Sequence, residues 1–189
     1  SKHNKDLETS YRTATDGIGI DLGIKDLAVV SDGRKFKNIN KSSKVKRLEK
    51  RLRREQRCLS RKYESKKKKG GKIATASANI EKQKLKVQKL HQRIKQIRED
   101  YENKVIHEIV KQKPCFITVE DLNVKGMMKN RHLAKAVAAQ RFNCLLTKLK
   151  HKAEIIGIEV HMVDRFYPSS KTCHVCGHIH KGLKLTDRV

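Results

Sequence analysis

Two acidic residues and one cysteine pair are the side chains here whose types and settings point to chemistry. Asp21 lies inside the alternating stretch Gly17-Ile18-Gly19-Ile20-Asp21-Leu22, although Asp is depleted in strands. Glu120 ends the apolar run Phe116-Ile117-Thr118-Val119, where a strand would leave the core. Two carboxylates held a few ångströms apart repel unless a divalent cation neutralises them. Mg²⁺ accepts one or two protein carboxylates and completes its shell with water and phosphate oxygens. A pair of such ions activates water and stabilises the leaving oxygen of a phosphodiester. Each acid also has an ordinary reading. Asp21 could serve the bend at Gly23 or pair with Lys25, and Glu120 could be an exposed residue after a strand. Asp121 would face away from Glu120 in a continuing strand. Cys173-His174-Val175-Cys176 provides two thiolates at knuckle spacing, whereas structural Zn²⁺ takes four ligands. His174, His178 and His180 are close in sequence, but so compact a set strains the geometry, so the zinc site is expected to be incomplete. Cys58, Cys115 and Cys144 stand alone, and Cys115 and Cys144 are read as core residues.

These residues need a scaffold that brings distant segments together. Residues 16–22, 27–30 and 35–39 form an expected three-strand antiparallel meander, with Ser31-Asp32-Gly33 as one of its turns. Residues 115–119 read as a buried strand and 158–163 as a fifth. A helix is expected over 132–154, carrying Leu133, Val137, Phe142, Leu145, Leu146 and Leu149 and stopped by Gly157. Between the meander and the fourth strand, Val45, Leu48, Leu52 and Leu59 mark one helix face, and Val87, Leu90, Ile94, Ile97, Tyr101, Val105 and Ile109 mark another. The Lys66-Lys67-Lys68-Lys69-Gly70-Gly71 segment separates them, and Pro114 stops the second. The result is a helical hairpin within 41–113. The order β-β-β-α-β-α-β predicts an α/β fold with a ribonuclease H-like mixed sheet. In such a sheet the first and fourth strands are neighbours, so Asp21 and Glu120 converge.

Charge narrows the partner. The 189 residues include 46 Lys+Arg and 20 Asp+Glu, a net charge of +26. Between Lys44 and Lys69 there are 14 cations and three acids, Glu49, Glu55 and Glu64. Arg47, Arg51, Arg54, Arg57 and Arg61 are the expected phosphate contacts, which would position nucleic acid without reading its sequence. Aromatic residues are only 4% of the chain, which argues against a base-stacking platform. No apolar run is long enough to span a bilayer and no signal peptide is evident, so no membrane partner is expected. Five cysteines, an odd number with one Cys-x-x-Cys pair, suit a reducing compartment.

Three motifs in order carry a family resemblance. Gly17-Ile18-Gly19-Ile20-Asp21-Leu22-Gly23-Ile24-Lys25-Asp26-Leu27-Ala28 resembles the first RuvC motif of the transposon-encoded TnpB (OrfB) proteins. Ile117-Thr118-Val119-Glu120-Asp121-Leu122-Asn123-Val124-Lys125-Gly126-Met127 resembles the second. Phe166-Tyr167-Pro168-Ser169-Ser170-Lys171-Thr172-Cys173-His174-Val175-Cys176-Gly177 resembles the start of their zinc ribbon.

The resemblance implies a RuvC-like domain over 16–165 after an N-terminal tail (1–15), the hairpin 41–113 being an insertion, and an incomplete zinc-ribbon segment over 166–189. It implies an RNA-guided DNA endonuclease, often described as a transposase accessory protein, acting in the bacterial cytoplasm at the nucleoid. Its partners would be DNA and a guide RNA. Asp21 and Glu120 would be two of three acids holding Mg²⁺ (or Mn²⁺), and Cys173 and Cys176 half of a four-cysteine Zn²⁺ site. The second cysteine pair and the third acid of the family would lie past Val189, and its recognition domains before Asp16, so the chain reads as truncated at both ends. Asp164 and Asp187 are weaker substitutes for the third acid. The alternative is a catalytically inactive nucleic-acid-binding relative acting as a DNA-binding regulator. A stand-alone resolvase would leave the zinc-ribbon start without a role.

Overall fold

The computed structural model describes residues 17–68 and 77–163, with positions 178, 180 and 182. Five strands form one mixed sheet: β1 (Ile18–Leu22), β2 (Asp26–Val30), β3 (Lys35–Lys37), β4 (Phe116–Glu120) and β5 (Glu159–Val163). Their order across the sheet is β3-β2-β1-β4-β5. The meander pairs antiparallel, while β1–β4 and β4–β5 are parallel. The third strand is shorter than the expected 35–39. After Lys37 the chain turns into a 3-10 segment, Ile39–Lys41, where the Asn38 side chain accepts a hydrogen bond from the Asn40 amide.

Alternation along β1 and β4 buries Ile18, Ile20, Leu22, Ile117 and Val119 on one face. That face packs on Val105, Ile106, Ile109 and Val110 of α2 (Ala78–Val110), on Val137 of α4 (Ala134–Gln140), and on Phe142, Leu145 and Leu149 of α5 (Phe142–Ile155). The other face carries Gly19, Asp21, Thr118, Glu120 and His161, half-buried or exposed. At its edge the Phe116 ring lies so close over Gly17 that a Cβ there would overlap it. The ring also meets His161 edge-on at 5.5 Å.

The hairpin is α1 (Ser43–Lys68) against the N-terminal half of α2. At 33 residues, α2 is about 50 Å long, so its C-terminal half belongs to the main core and its N-terminal half projects. The projecting part has its own small core of Leu52, Val87, Leu90 and Ile94, flanked by Leu48 and Leu59.

At the tip of the β2–β3 turn, Arg34 Nε donates to Asp32 at 2.7 Å, and Nη1 to the Glu108 carbonyl of α2. The Arg34 hydrogen bond holds the Asp32 carboxyl below the usual carboxylate range. Its contribution to stability is therefore complete above the unfolded value and is lost as pH falls through the lower folded one. Urea denaturation should find the chain more stable than Asp32→Asn at neutral pH, with the difference vanishing in acid.

The single helix expected over 132–154 is two. Arg141 adopts φ 55, ψ 39 between α4 and α5. A left-handed conformation costs a non-glycine residue about 1–2 kcal/mol. Here it aims the guanidinium at α2, where Arg141 meets Glu99 at 3.2 Å and the buried Glu102 at 3.5 Å. Lys148 reaches Glu102 from the other side at 2.9 Å. Leu133, expected in the apolar stripe, precedes α4 and is 40% exposed. Gly157 does end the helix, at φ 75. Removing Glu102 would leave Arg141 and Lys148 facing each other across a cavity, so Glu102→Ala should lower unfolding free energy by about 3 kcal/mol, measured by chemical denaturation.

The cysteines also depart from expectation. Cys115 is exposed, because the turn through Lys113 (φ 49) and Pro114 ends just before β4 begins at Phe116. Cys144 is half-buried, with its Sγ 3.1 Å from Arg141 Nη2 rather than among the apolar residues.

Candidate functional site

The parallel pairing of β1 and β4 runs Ile18 opposite Ile117, Gly19 opposite Thr118, and Ile20 opposite Val119. Continued by one step, this register would set Asp21 opposite Glu120, at the roughly 5 Å spacing of neighbouring strands. Both residues lie at the C-terminal ends of their strands, on the face away from the helices, and both are exposed. Neither side chain has a hydrogen-bond or ion-pair partner among the described residues. Two unpaired carboxylates on one sheet face supply hard oxygen donors with room for water and phosphate oxygens, which fits Mg²⁺ or Mn²⁺. Among the described residues no group of three or more His, Cys, Asp or Glu comes together. Asp121 belongs elsewhere, since its amide donates to the Val163 carbonyl of β5. Asp164, Asp187, His174, Cys173 and Cys176 lie outside the described residues.

The turn that follows Asp21 is held from outside. Gln140 Nε2 donates to the Gly23 carbonyl at 2.9 Å, Asn38 Nδ2 to the Ile24 carbonyl at 2.8 Å, and Lys41 Nζ to the Lys25 carbonyl at 3.1 Å. The chain after Glu120 is fixed locally, where Asn123 caps α3 (Val124–Lys129) by accepting from the Gly126 amide. Asn38 and Gln140 were not legible as site residues. Isolated amides carry no spacing signal, and only the fold brings them beside 23–25.

The second candidate surface is the outer side of α1. Arg47, Arg51, Arg54, Arg57 and Arg61 are all exposed, and the first four border one shallow groove with Lys50 and Arg53. None of these five arginines makes a salt bridge within 4.0 Å among the described residues, although Arg51 and Arg54 act electrostatically on Glu55. The acids of α1 turn inward instead: Glu49 bonds Arg98 of α2 at 3.0 Å, and Glu55 accepts from the buried Gln83 amide at 2.8 Å. That hydrogen bond from Gln83 holds the Glu55 carboxyl below its usual range. Packing thus engages two of the three acids with α2, although Arg51 and Arg54 still act electrostatically on Glu55.

Comparison with known proteins agrees with the motifs. Residues 142–189 match the Cas12f1-like TNB domain. A putative RNA-guided DNA endonuclease of Streptomyces pristinaespiralis is 33% identical over 184 residues, spanning 97% of this chain and 42% of that protein. The putative RNA-guided DNA endonuclease InsQ of Escherichia coli K12 is 31% identical over 196 residues, spanning 96% and 45%. The chain therefore covers less than half the length of these curated relatives. A cryo-EM structure of a Cas12f1–sgRNA–target DNA complex shares the fold at a TM-score of 0.54 and 17% identity, over 88% of this chain and 40% of that one. Residues 4–131 match OrfB_IS605, described as a probable transposase, and with more than half its length inside that match the chain belongs to this TnpB (OrfB) family.

Proposed function

We propose that this chain is the ribonuclease H-like, RuvC-like part of an RNA-guided DNA endonuclease, and that Asp21 and Glu120 hold its catalytic divalent cation. The observation that carries the reading is the parallel β1–β4 register, whose last pair, Ile20 opposite Val119, immediately precedes the two acids. The sheet order β3-β2-β1-β4-β5, with β1 beside β4, supports the ribonuclease H-like assignment. When bound, Mg²⁺ or Mn²⁺ supplies Lewis-acid stabilisation and an activated water for phosphodiester cleavage. Asp21 and Glu120 present one face of oxygen donors to it. Phosphate oxygens of a DNA strand would enter from the open side of the sheet. The α1 arginines bind backbone phosphates and so orient the nucleic acid, either target DNA or guide RNA. The relatives' description as RNA-guided DNA endonucleases supports both partners. In this reading 16–165 is the nuclease domain, 41–113 its basic insertion, and Cys173 and Cys176 half of a zinc ribbon over 166–189. Among the described residues no helix is long and apolar enough to cross a membrane.

The test is nicking of supercoiled plasmid with Mg²⁺ or Mn²⁺, run beside a gel shift on the same DNA. Nicking that needs the metal and both acids supports the proposal. A second reading, a nucleic-acid-binding regulator without cleavage, is favoured by the presence of only two convergent acids among the described residues. A salt-sensitive gel shift with no metal-dependent nicking would select it.

A further inference from the structure

We propose that Gln140 and Asn40 are positioning residues for the metal site, fixing the turn after Asp21 and fastening it to the base of the basic hairpin. This inference rests on the reading of Asp21 as a metal ligand. It starts from the turn 23–25, which connects Asp21 to β2 and whose three successive carbonyls each accept a side-chain hydrogen bond. The donors are Gln140 from the end of α4, and Asn38 and Lys41 from the chain leading into α1. Gln140 is 3% exposed and Asn38 7% exposed, so both amides are removed from water. Buried polar groups of this kind are costly unless satisfied, and satisfied networks rigidify what they join.

The network does not stop at the turn. Gln140 Oε1 accepts from Asn40 Nδ2 at 3.3 Å, and the same Nδ2 donates to the Ala139 carbonyl at 3.0 Å. Asn40 Oδ1 accepts from Arg98 Nε at 2.7 Å, and Arg98 Nη2 bonds Glu49 of α1 at 3.0 Å. A continuous set of bonds thus runs from the Gly23 carbonyl through Gln140, Asn40 and Arg98 to the helix that carries the arginine face. Each amide is used in one orientation. Gln140 must offer its NH₂ to Gly23 and its oxygen to Asn40, and reversing it would break both contacts. Ordinary core filling needs no such orientation, and an apolar side chain would fill the same space. What the polar arrangement adds is a fixed position for the backbone two residues beyond Asp21. A carboxylate that shares a cation with Glu120 has to be placed within a few tenths of an ångström, which a supporting shell of this kind provides.

The test compares the chain with Gln140→Met, which keeps the volume and loses both bonds, and with Asn40→Asp, which keeps the acceptor for Arg98 and loses the donor to Gln140. Mn²⁺ affinity is read from water-proton relaxation, with Asp21→Asn as reference, and backbone exchange over 22–27 from hydrogen–deuterium mass spectrometry. The expected result is Mn²⁺ binding weakened about tenfold in both variants and faster exchange over 22–27, with gel-shift affinity for DNA unchanged. If Asp21→Asn abolishes Mn²⁺ binding while Gln140→Met and Asn40→Asp bind as the parent chain does, positioning is overturned and the metal reading stands. If Asp21→Asn binds Mn²⁺ as before, the metal reading fails and the positioning role fails with it. Should Gln140→Met not fold, Asn40→Asp alone decides, since Asn40 is only half-buried and its change is confined to one amide.

Discussion

Asp21→Ala is expected to abolish metal-dependent cleavage, by at least about 10³-fold, while leaving nucleic-acid binding and folding intact. The size follows from the metal's contribution to transition-state charge, several kcal/mol, with each factor of ten in rate equal to about 1.4 kcal/mol. Folding is spared because the Asp21 side chain is exposed and has no partner among the described residues, so its removal leaves no cavity and no orphaned group. The measurement is the initial rate of plasmid nicking in Mg²⁺ and in Mn²⁺, for the parent chain and the variant side by side. Glu120→Ala should match it, because the two carboxylates occupy equivalent places on paired strands. Residual cleavage in Asp21→Ala at the parent rate would overturn the assignment. Loss in Asp21→Ala but full retention in Glu120→Ala would reject the shared site.

Replacing Arg47, Arg51, Arg54, Arg57 and Arg61 together by Gln should weaken nucleic-acid binding by up to about 10⁴-fold at 0.1 M salt and flatten its salt dependence. Each phosphate contact contributes a slope of about −0.9 in log affinity against log salt on duplex DNA, so five contacts account for a change of about 4–5. Titration at several salt concentrations reads both quantities. The protein should remain folded, because these side chains are exposed while Val45, Leu48, Leu52 and Leu59 hold α1 against its neighbours. An equal-charge control, Lys82, Lys84, Lys86, Lys89 and Lys95 on α2 changed to Gln, separates a local face from overall charge. Lys84 and Lys95 already pair with Glu81 and Glu99, so the control should cost much less. Equal losses in the two sets would mean that net charge, rather than the α1 face, drives binding.

Particular residues show how far the sequence could be read. The step from Val137 to Phe142 is five residues, longer than a helical repeat allows on one face. A single helix over 132–154 ignores this step, which marks where Arg141 breaks the chain into α4 and α5. The partners that Arg141 meets there, Glu99 and Glu102, lie some forty residues earlier, and local propensity carries no trace of them. Cys115 looked apolar beside a strand and lies outside the sheet, because the position of Pro114 relative to the first β4 residue decides which side it occupies.

Composition and spacing determined by themselves the basic character, the hairpin and the five strands. Periodicity reports which residues of one segment share a face, and net charge is a sum over residues. Tertiary structure decided the parallel β1–β4 register, whose last pair, Ile20 opposite Val119, comes just before Asp21 and Glu120. It also decided that Glu49 and Glu55 turn inward from the arginine face, and that Gln140 and Asn38 close on the turn behind Asp21. The reason is physical: each of these depends on contacts between segments far apart in the chain, whose relative placement is set by the shared burial of the sheet and α2, and no local pattern encodes that placement.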